Sequence, residues 1–173
     1  MAPALTIVTG AQTGVDSAAI ETAIKLKLPY NGWVPRGYTN ESGPILPIHR
    51  PHLTETPSQN NAQRTEWNIR DADCVLTILR GQPEKVTGGT AWGVDVARAA
   101  GKEMCFVNLS ADWTNELDKV RTWLNRRQVE HFKCAVNGPR ESEEPGIGQE
   151  AMRFLCEALG NSNHFPLMTP HCE

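Results

Sequence analysis

Short apolar runs alternate with helical segments along most of this chain, and that alternation limits its fold more than any other feature. The clearest run is CVLTIL at 74–79, and similar runs occupy 4–8, 103–107 and 131–136, with a brief one at 31–34. Each has the length and apolar content of a buried strand. Strands that alternate with helices form parallel sheets covered on both faces. The pattern therefore predicts an α/β fold: a Rossmann-like three-layer αβα sandwich with a mostly parallel sheet of five or more strands.

The segments between these runs carry apolar residues at helical spacing. Residues 15–26 repeat at i, i+3, i+4 and i+7, and Pro29 ends the pattern. Thr114 is the expected N-cap of a later helix, and Gly160 is expected just past the end of the last one. The other predicted helices span 61–71, 91–100, 114–127 and 146–159.

Residues 35–60 show neither the helical spacing of apolar residues nor a strand-like apolar run, and they contain five prolines. A connection of this length without secondary structure is uncommon in a compact domain and is usually functional. We therefore expect a lid-like or oligomer-contacting loop. The length of 173 residues fits one domain. We expect a single Rossmann-like ligand-binding domain at 1–160 and a loose C-terminal tail at 161–173.

Composition narrows the classes of partner. The net charge of −3 argues against a general nucleic-acid binder. No apolar run reaches about 18 residues, so no membrane span is expected, and no signal peptide is expected at the start. The five cysteines are odd in number and include no CxxC pair, which favours a reduced, cytoplasmic setting. His49 and His52 lack a Cys or carboxylate at ligand spacing, so no metal site is predicted.

Three glycine-bearing loops follow predicted strands and precede predicted helices. They are TGAQTGVD at 9–16, TGGT at 87–90 and NGPRES at 137–142. Ligands of open α/β sheets bind beyond the carboxyl ends of the strands, so we expect the three loops to meet at one edge. Helix N-termini favour anions, and glycine lets backbone N–H groups approach phosphate oxygens closely. The loops therefore predict a site for a small phosphorylated ligand.

The predicted binding residues are loop residues and nearby cations. Arg140 is the expected charge partner, with Arg36 and Arg64 as further candidates. Asp16 does not suit a phosphate, but it could cap the helix or accept hydrogen bonds from a ribose or a pterin N–H. Gln12 is hard to explain as turn chemistry. The full set is Gly10, Gln12, Thr13, Gly14, Asp16, Arg36, Thr87, Gly88, Gly89, Thr90, Gly138 and Arg140.

Five segments, taken in order, resemble the molybdenum cofactor carrier family: TGAQTGVDSAA, GWVPRG, ETPSQNNAQRTEWNIRDAD, TGGT and NGPRESEEPGI. That family lies within a Rossmann-like nucleotide-binding superfamily that includes the lonely-guy phosphoribohydrolases, which are also labelled lysine-decarboxylase-like. The resemblance implies a homodimer or homotetramer. It also implies that molybdenum cofactor, or a related phosphorylated pterin or nucleotide, is bound and carried or protected at the carboxyl edge of the sheet, with the loop residues lining the pocket.

The phosphoribohydrolases of that superfamily carry a PGGxGTxxE segment whose Glu assists glycosidic cleavage. The corresponding TGGTAWGVDVA at 87–97 has neither the Pro nor the matching Glu. General acid–base catalysis requires a positioned group, and no catalytic residue is assigned. We therefore favour a binding protein over an enzyme. Two alternatives stay open: a hydrolase of a nucleoside phosphate or ADP-ribose-type ligand that uses Asp16, Glu66 or Asp95, and a nucleotide-sensing module without turnover.

Overall fold

The computed structural model describes residues 4–127 and 129–160. The strands of this part of the chain are β1 (Ala4–Val8), β2 (Tyr30–Val34), β3 (Thr39–Asn40), β4 (Gly43–Pro44), β5 (Leu53–Glu55), β6 (Cys74–Leu79), β7 (Glu103–Asn108) and β8 (His131–Asn137). The helices are α1 (Val15–Leu26), α2 (Asn61–Asp71), α3 (Gly88–Ala99), α4 (Trp113–Asn125) and α5 (Ile147–Gly160).

Six of the strands form one parallel sheet in the order β5-β2-β1-β8-β6-β7. Helices α1, α4 and α5 pack together on one face, and α2 and α3 pack together on the other. Every side chain of β6 is buried because helices cover both faces of the sheet there. The predicted Rossmann-like αβα sandwich with a mostly parallel sheet is confirmed.

Helix boundaries differ from the prediction by a few residues. α4 begins at Trp113, and its N-cap is Asp112 rather than Thr114, because the Asp112 carboxylate accepts a hydrogen bond from the Asn115 N–H at 3.1 Å. α3 begins three residues earlier than expected, at Gly88. α5 runs from Ile147 and includes Gly160, which the sequence placed just beyond it.

The prediction of a structureless segment at 35–60 is wrong. β3 and β4 form a small antiparallel ladder, a 3₁₀ helix spans Pro47–His52, and β5 pairs with β2 at the edge of the main sheet. β5 has only three residues, of which only Leu53 is buried, so it carries too little apolar pattern to be seen in the sequence. A lid or oligomer-contacting role for this segment stays a prediction.

The predicted tail at 161–173 lies outside the described residues. Within the part of the chain that is described, no helix is long and apolar enough to cross a bilayer. The same residues include no group of three or more His, Cys, Asp or Glu side chains placed to hold a metal ion.

Candidate ligand-binding edge

The strand order brings the three glycine-bearing loops to one edge of the sheet. We call them the β1 loop (9–14), the β6 loop (80–87) and the β8 loop (138–146). Strand β8 lies between β1 and β6, so the β8 loop lies between the other two loops. On one side, the Pro139 carbonyl accepts from the Val15 N–H at 3.2 Å; on the other, Asn137 Nδ2 donates to the Thr90 carbonyl at 3.2 Å. The loops meet, but the β8 loop divides the edge into two halves.

Most backbone N–H groups of the β1 loop already have acceptors within the protein. A nest of N–H groups that binds a ligand anion needs free donors. Here the anion that the loop surrounds is its own Asp16 carboxylate. The bonds run from Ala11 to Thr9 Oγ1 (3.2 Å), from Gln12 to Asp16 Oδ2 (3.2 Å) and from Thr13 to Gln12 Oε1 (3.0 Å), and Val15 donates to Pro139 as above.

Asp16 also forms a buried ion pair with Arg64 of α2. Arg64 Nη1 lies 2.9 Å from Asp16 Oδ2, and the two side chains are 14% and 7% exposed. Burial raises the pKa of the Asp16 carboxyl, and the Arg64 guanidinium acts in the opposite direction. A Cβ on Gly10 would lie 1.8 Å from Arg64 Nη1, so Gly10 gives Arg64 access to the carboxylate. The sequence named each of these residues but gave no sign that they form one unit.

Glu41, in the turn between β3 and β4, joins the β1 and β8 loops. Its carboxylate accepts hydrogen bonds from the hydroxyls of Thr13 and Ser142 and from the Ser142 N–H at 3.1 Å. Desolvation raises the pKa of Glu41, but the hydrogen bonds from Ser142 and Thr13 outweigh it, and the pKa lies below its ordinary value. Sequence reasoning missed Glu41 because it lies in the segment wrongly predicted to lack structure.

The glycines of the β1 and β8 loops allow close contact between the two. Gly14 has φ +73°, and a Cβ on it would lie 2.4 Å from the Pro139 carbonyl oxygen. A Cβ on Gly138 would lie 2.5 Å from Val15 Cγ2. The close packing of the two loops therefore explains the glycines at positions 14 and 138 without any ligand.

The N-terminus of α3 has a different environment. Its N-cap residue, Thr87, makes no side-chain cap hydrogen bond, and Thr87, Gly88 and Gly89 are exposed. Side chains cap two other helices on this part of the surface: Asn60 accepts from Ala62 N–H in α2 at 2.9 Å, and Glu141 accepts from Gly148 N–H in α5 at 3.1 Å. α1 has no side-chain cap either, but its Val15 N–H donates to the Pro139 carbonyl. The first N–H groups of α3 are thus open to an external acceptor.

A hollow of about 170 Å³ lies beside this helix end, and we call it the α3 hollow. Its lining includes Arg80, Lys85, Thr87, Thr90, Glu143 and Glu144. Arg80 is paired with Glu150 at 2.7 Å, whereas the Nζ of Lys85 has no partner among the described residues. Lys85 is therefore the cation of the hollow that no acidic side chain neutralises.

Two carboxyl groups also line the α3 hollow. Glu143 is paired with Arg140, whose Nε lies 3.3 Å from its Oε1. Burial raises the pKa of Glu144, while Arg80 acts in the opposite direction, and Glu144 Oε2 is buried without a hydrogen-bond partner in the described part of the chain. The hollow therefore offers donors from the helix end and Lys85, with Glu144 as the charge that opposes an anion.

A second hollow, also of about 170 Å³, lies on the other side of the β8 loop, and we call it the Gln12 hollow. Its lining is polar and comes from the β1 loop, the β3–β4 ladder, the start of α2 and the β8 loop. The residues are Gln12, Pro35, Thr39, Asn40, Glu41, Gln59, Asn61 and Arg140. Arg140 is thus in the wall between the two hollows.

Several candidates lie away from both hollows. Arg36 is exposed and lines neither of them. Glu66 is exposed, and Asp95 is paired with Arg98 at 3.4 Å on the outer surface of α3. A ligand contact by any of the residues predicted from the sequence stays a prediction.

Comparison with known proteins supports the resemblance found in the motifs. Across 92% of this chain and 98% of the other, with 32% identity and a TM-score of 0.81, the fold matches a crystal structure described as "Putative molybdenum carrier protein" from Syntrophus aciditrophicus SB. A search of curated proteins finds no match. The sequence model of the circularly permutated YpsA SLOG family matches residues 7–159. The chain belongs to this family.

Proposed function

We propose that this protein binds the phosphate-bearing end of a small ligand at the N-terminus of α3 and carries or protects that ligand. The observation that carries the proposal is the uncapped helix end beside a hollow with an unpaired lysine, Lys85. Free N–H groups and the helix dipole attract an anion, and the lysine adds a full positive charge. The hydroxyl of Thr87 can donate a further hydrogen bond.

Molybdenum cofactor is the ligand that we propose, because its phosphate suits this end of α3 and because the similar crystal structure is described as a "Putative molybdenum carrier protein". The fit concerns the phosphate end alone. Gly88 and Gly89 are exposed, and the space around a Cβ placed on Gly89 is open, whereas Glu143 Oε1 lies 3.1 Å from a Cβ placed on Gly88. Lys85 and Thr87 line the hollow beside them. A related phosphorylated pterin or nucleotide would use the same contacts.

The proposal divides the residues predicted from the sequence into two groups. Thr87, Gly88 and Gly89 contact the phosphate, together with Lys85, which the sequence prediction omitted. Gly10, Gly14 and Asp16 instead hold the β1 loop in place, because their contacts are with other parts of the protein. Holding a ligand without reacting it requires no general acid or base, so the proposal needs no catalytic residue.

Two substitutions at Gly89 test the proposal. No atom beyond the neighbouring residues and the helix's own backbone lies within 4 Å of a Cβ placed on Gly89, so a side chain fits there. Gly89→Asp puts a carboxylate at the helix N-terminus, where it stabilises α3 by about 0.3–1 kcal/mol but occupies and repels the phosphate position. Gly89→Ala is the matched control, and we expect it to keep its affinity.

Binding of inorganic phosphate and pyrophosphate is measured by isothermal titration calorimetry, with thermal melting of each variant. We expect Gly89→Asp to lose at least about tenfold in affinity, which corresponds to about 1.4 kcal/mol, without a lower melting temperature. Unchanged affinity in Gly89→Asp, or a loss of similar size in Gly89→Ala, would contradict the proposed site.

A further inference from the structure

Gln12 is a buried amide whose orientation is fixed. The residue is only 7% exposed. Its Oε1 accepts two backbone hydrogen bonds, from the Thr13 N–H and from the Glu41 N–H, both at 3.0 Å. Because an amide oxygen accepts and an amide nitrogen donates, these two bonds decide which end of the side chain is which.

The NH₂ group of Gln12 is left without a hydrogen-bond partner among residues 4–127 and 129–160. This nitrogen is not one of the polar atoms sealed inside the protein, and Gln12 lines the Gln12 hollow. A polar group that faces a hollow is hydrogen-bonded to water when no ligand is present, and an acceptor on a ligand can replace that water. The hollow therefore presents a fixed donor that can serve only an acceptor.

The other groups around this hollow make it polar but close to neutral. The Glu41 carboxylate is occupied by Thr13 and Ser142 and has Arg140 at 4.0 Å. Asn40 uses both ends of its amide, to the Ala11 carbonyl and the Ser42 N–H. An uncharged ring with a hydrogen-bond acceptor suits this surface better than a second phosphate does.

Each of the two hollows is too small to enclose a whole small molecule. Pockets that enclose a whole small molecule measure about 300–1,000 Å³, and each hollow here is about 170 Å³. They lie on opposite sides of the β8 loop, where Arg140 lines one and its ion-pair partner Glu143 lines the other. A ligand with a phosphate at one end and a ring at the other can span this wall.

We propose that the Gln12 hollow binds the ring of the ligand and that the Gln12 NH₂ group donates to a ring carbonyl, so that an oxo-substituted ring is preferred to an amino-substituted one. The chemical class is a fused heterocycle with a cyclic amide, as in a 6-oxopurine or a pterin. An amino group at the same position is itself a donor and cannot accept this hydrogen bond. The inference rests on the proposed phosphate site at α3 but concerns a separate contact.

Inosine and adenosine 5′-monophosphates provide the pair of probes, because they carry the same phosphate and ribose and differ only in this oxo or amino group and in the adjacent ring nitrogen N1, which is a donor in inosine and an acceptor in adenosine. Calorimetry with the wild-type protein is expected to show inosine monophosphate binding about tenfold more tightly, as for loss of one hydrogen bond at a buried group. Inorganic phosphate, measured alone, reports on the α3 hollow. Equal affinity for the two nucleotides, or binding of neither, would overturn the inference.

Gln12→Glu keeps the oxygen that accepts from Thr13 and Glu41 but replaces the donor with a second acceptor. We expect the preference for inosine monophosphate to disappear while inorganic phosphate binds as before. Gln149→Glu, the same change at an exposed position of α5, is the control and should keep the preference. If Gln12→Glu has the melting temperature of the wild type and still prefers inosine monophosphate, the Gln12 side chain does not discriminate between the oxo and the amino group of the ring. Loss of phosphate binding in the wild-type protein would instead refute the proposed function.

Discussion

Replacing Asp16 with Asn distinguishes two roles for this residue: contact with a ligand, and the ion pair with Arg64. The sequence placed Asp16 against a ligand, whereas its geometry makes it the buried partner of Arg64, 2.9 Å away, with side chains only 7% and 14% exposed. Removing one member of a buried ion pair costs about 3–5 kcal/mol, because the other charge is left uncompensated. Arg64 keeps slight access to water, so we expect a loss of about 3 kcal/mol for Asp16→Asn, at the lower end of that range.

The assay is urea unfolding of the wild type, Asp16→Asn, Arg64→Met and the double variant. If the two side chains act as a pair, the double variant is less destabilised than the sum of the single variants by at least about 1 kcal/mol. The affinity of folded Asp16→Asn for inorganic phosphate should stay within about twofold of the wild type. A loss of stability below about 0.5 kcal/mol together with much weaker phosphate binding would refute this reasoning and return Asp16 to the ligand site.

Three further predictions concern the same edge of the sheet. Glu144→Gln should tighten phosphate binding severalfold in calorimetry at pH 7, since it removes a negative charge from the α3 hollow; unchanged or weaker binding would contradict this. Gly14→Val should cost more than about 3 kcal/mol in urea unfolding, because φ is +73° and its Cβ would lie 2.4 Å from a backbone oxygen; a near-neutral result would refute the close loop contact. Because the pKa of Glu41 is lowered on folding, its contribution to stability is present above the ordinary value of 4.5 and is lost as the pH falls through the folded pKa. Glu41→Gln should therefore lose stability at pH 7 and show a smaller further loss towards acidic pH; identical pH profiles would argue against this role.

The fold class could be predicted from the sequence because it follows from two local signals: the spacing of apolar residues, and the residues that end each helix or strand. The buried run at Cys74–Leu79 and the helical spacing of Val15–Leu26 each depend on residues close together in the chain. The position of the three loops at one edge also followed, because parallel strands place their carboxyl ends together. What local pattern could not show was the three-residue strand at Leu53–Glu55, which is stabilised by pairing with β2.

The candidate site was only partly readable, because it depends on which hydrogen-bonding groups are already occupied. By residue type alone, TGAQTGVD and TGGT both resemble anion-binding loops. The first is filled by its own Asp16 carboxylate and by Arg64, a residue 48 positions away, whereas the second opens a helix without a side-chain cap. Such occupancy arises from contacts between distant parts of the chain, and a single sequence does not encode it in any local pattern.

The central claim is that a phosphorylated ligand, molybdenum cofactor in our proposal, is held at the N-terminus of α3. The most direct measurement is the molybdenum and pterin content of the protein, determined by mass spectrometry after purification from cells that make the cofactor. The wild type and Gly89→Ala should carry both, in equal molar amounts, and Gly89→Asp should carry neither. Equal loading of Gly89→Asp and the wild type, or a wild type that retains no pterin, would contradict the claim.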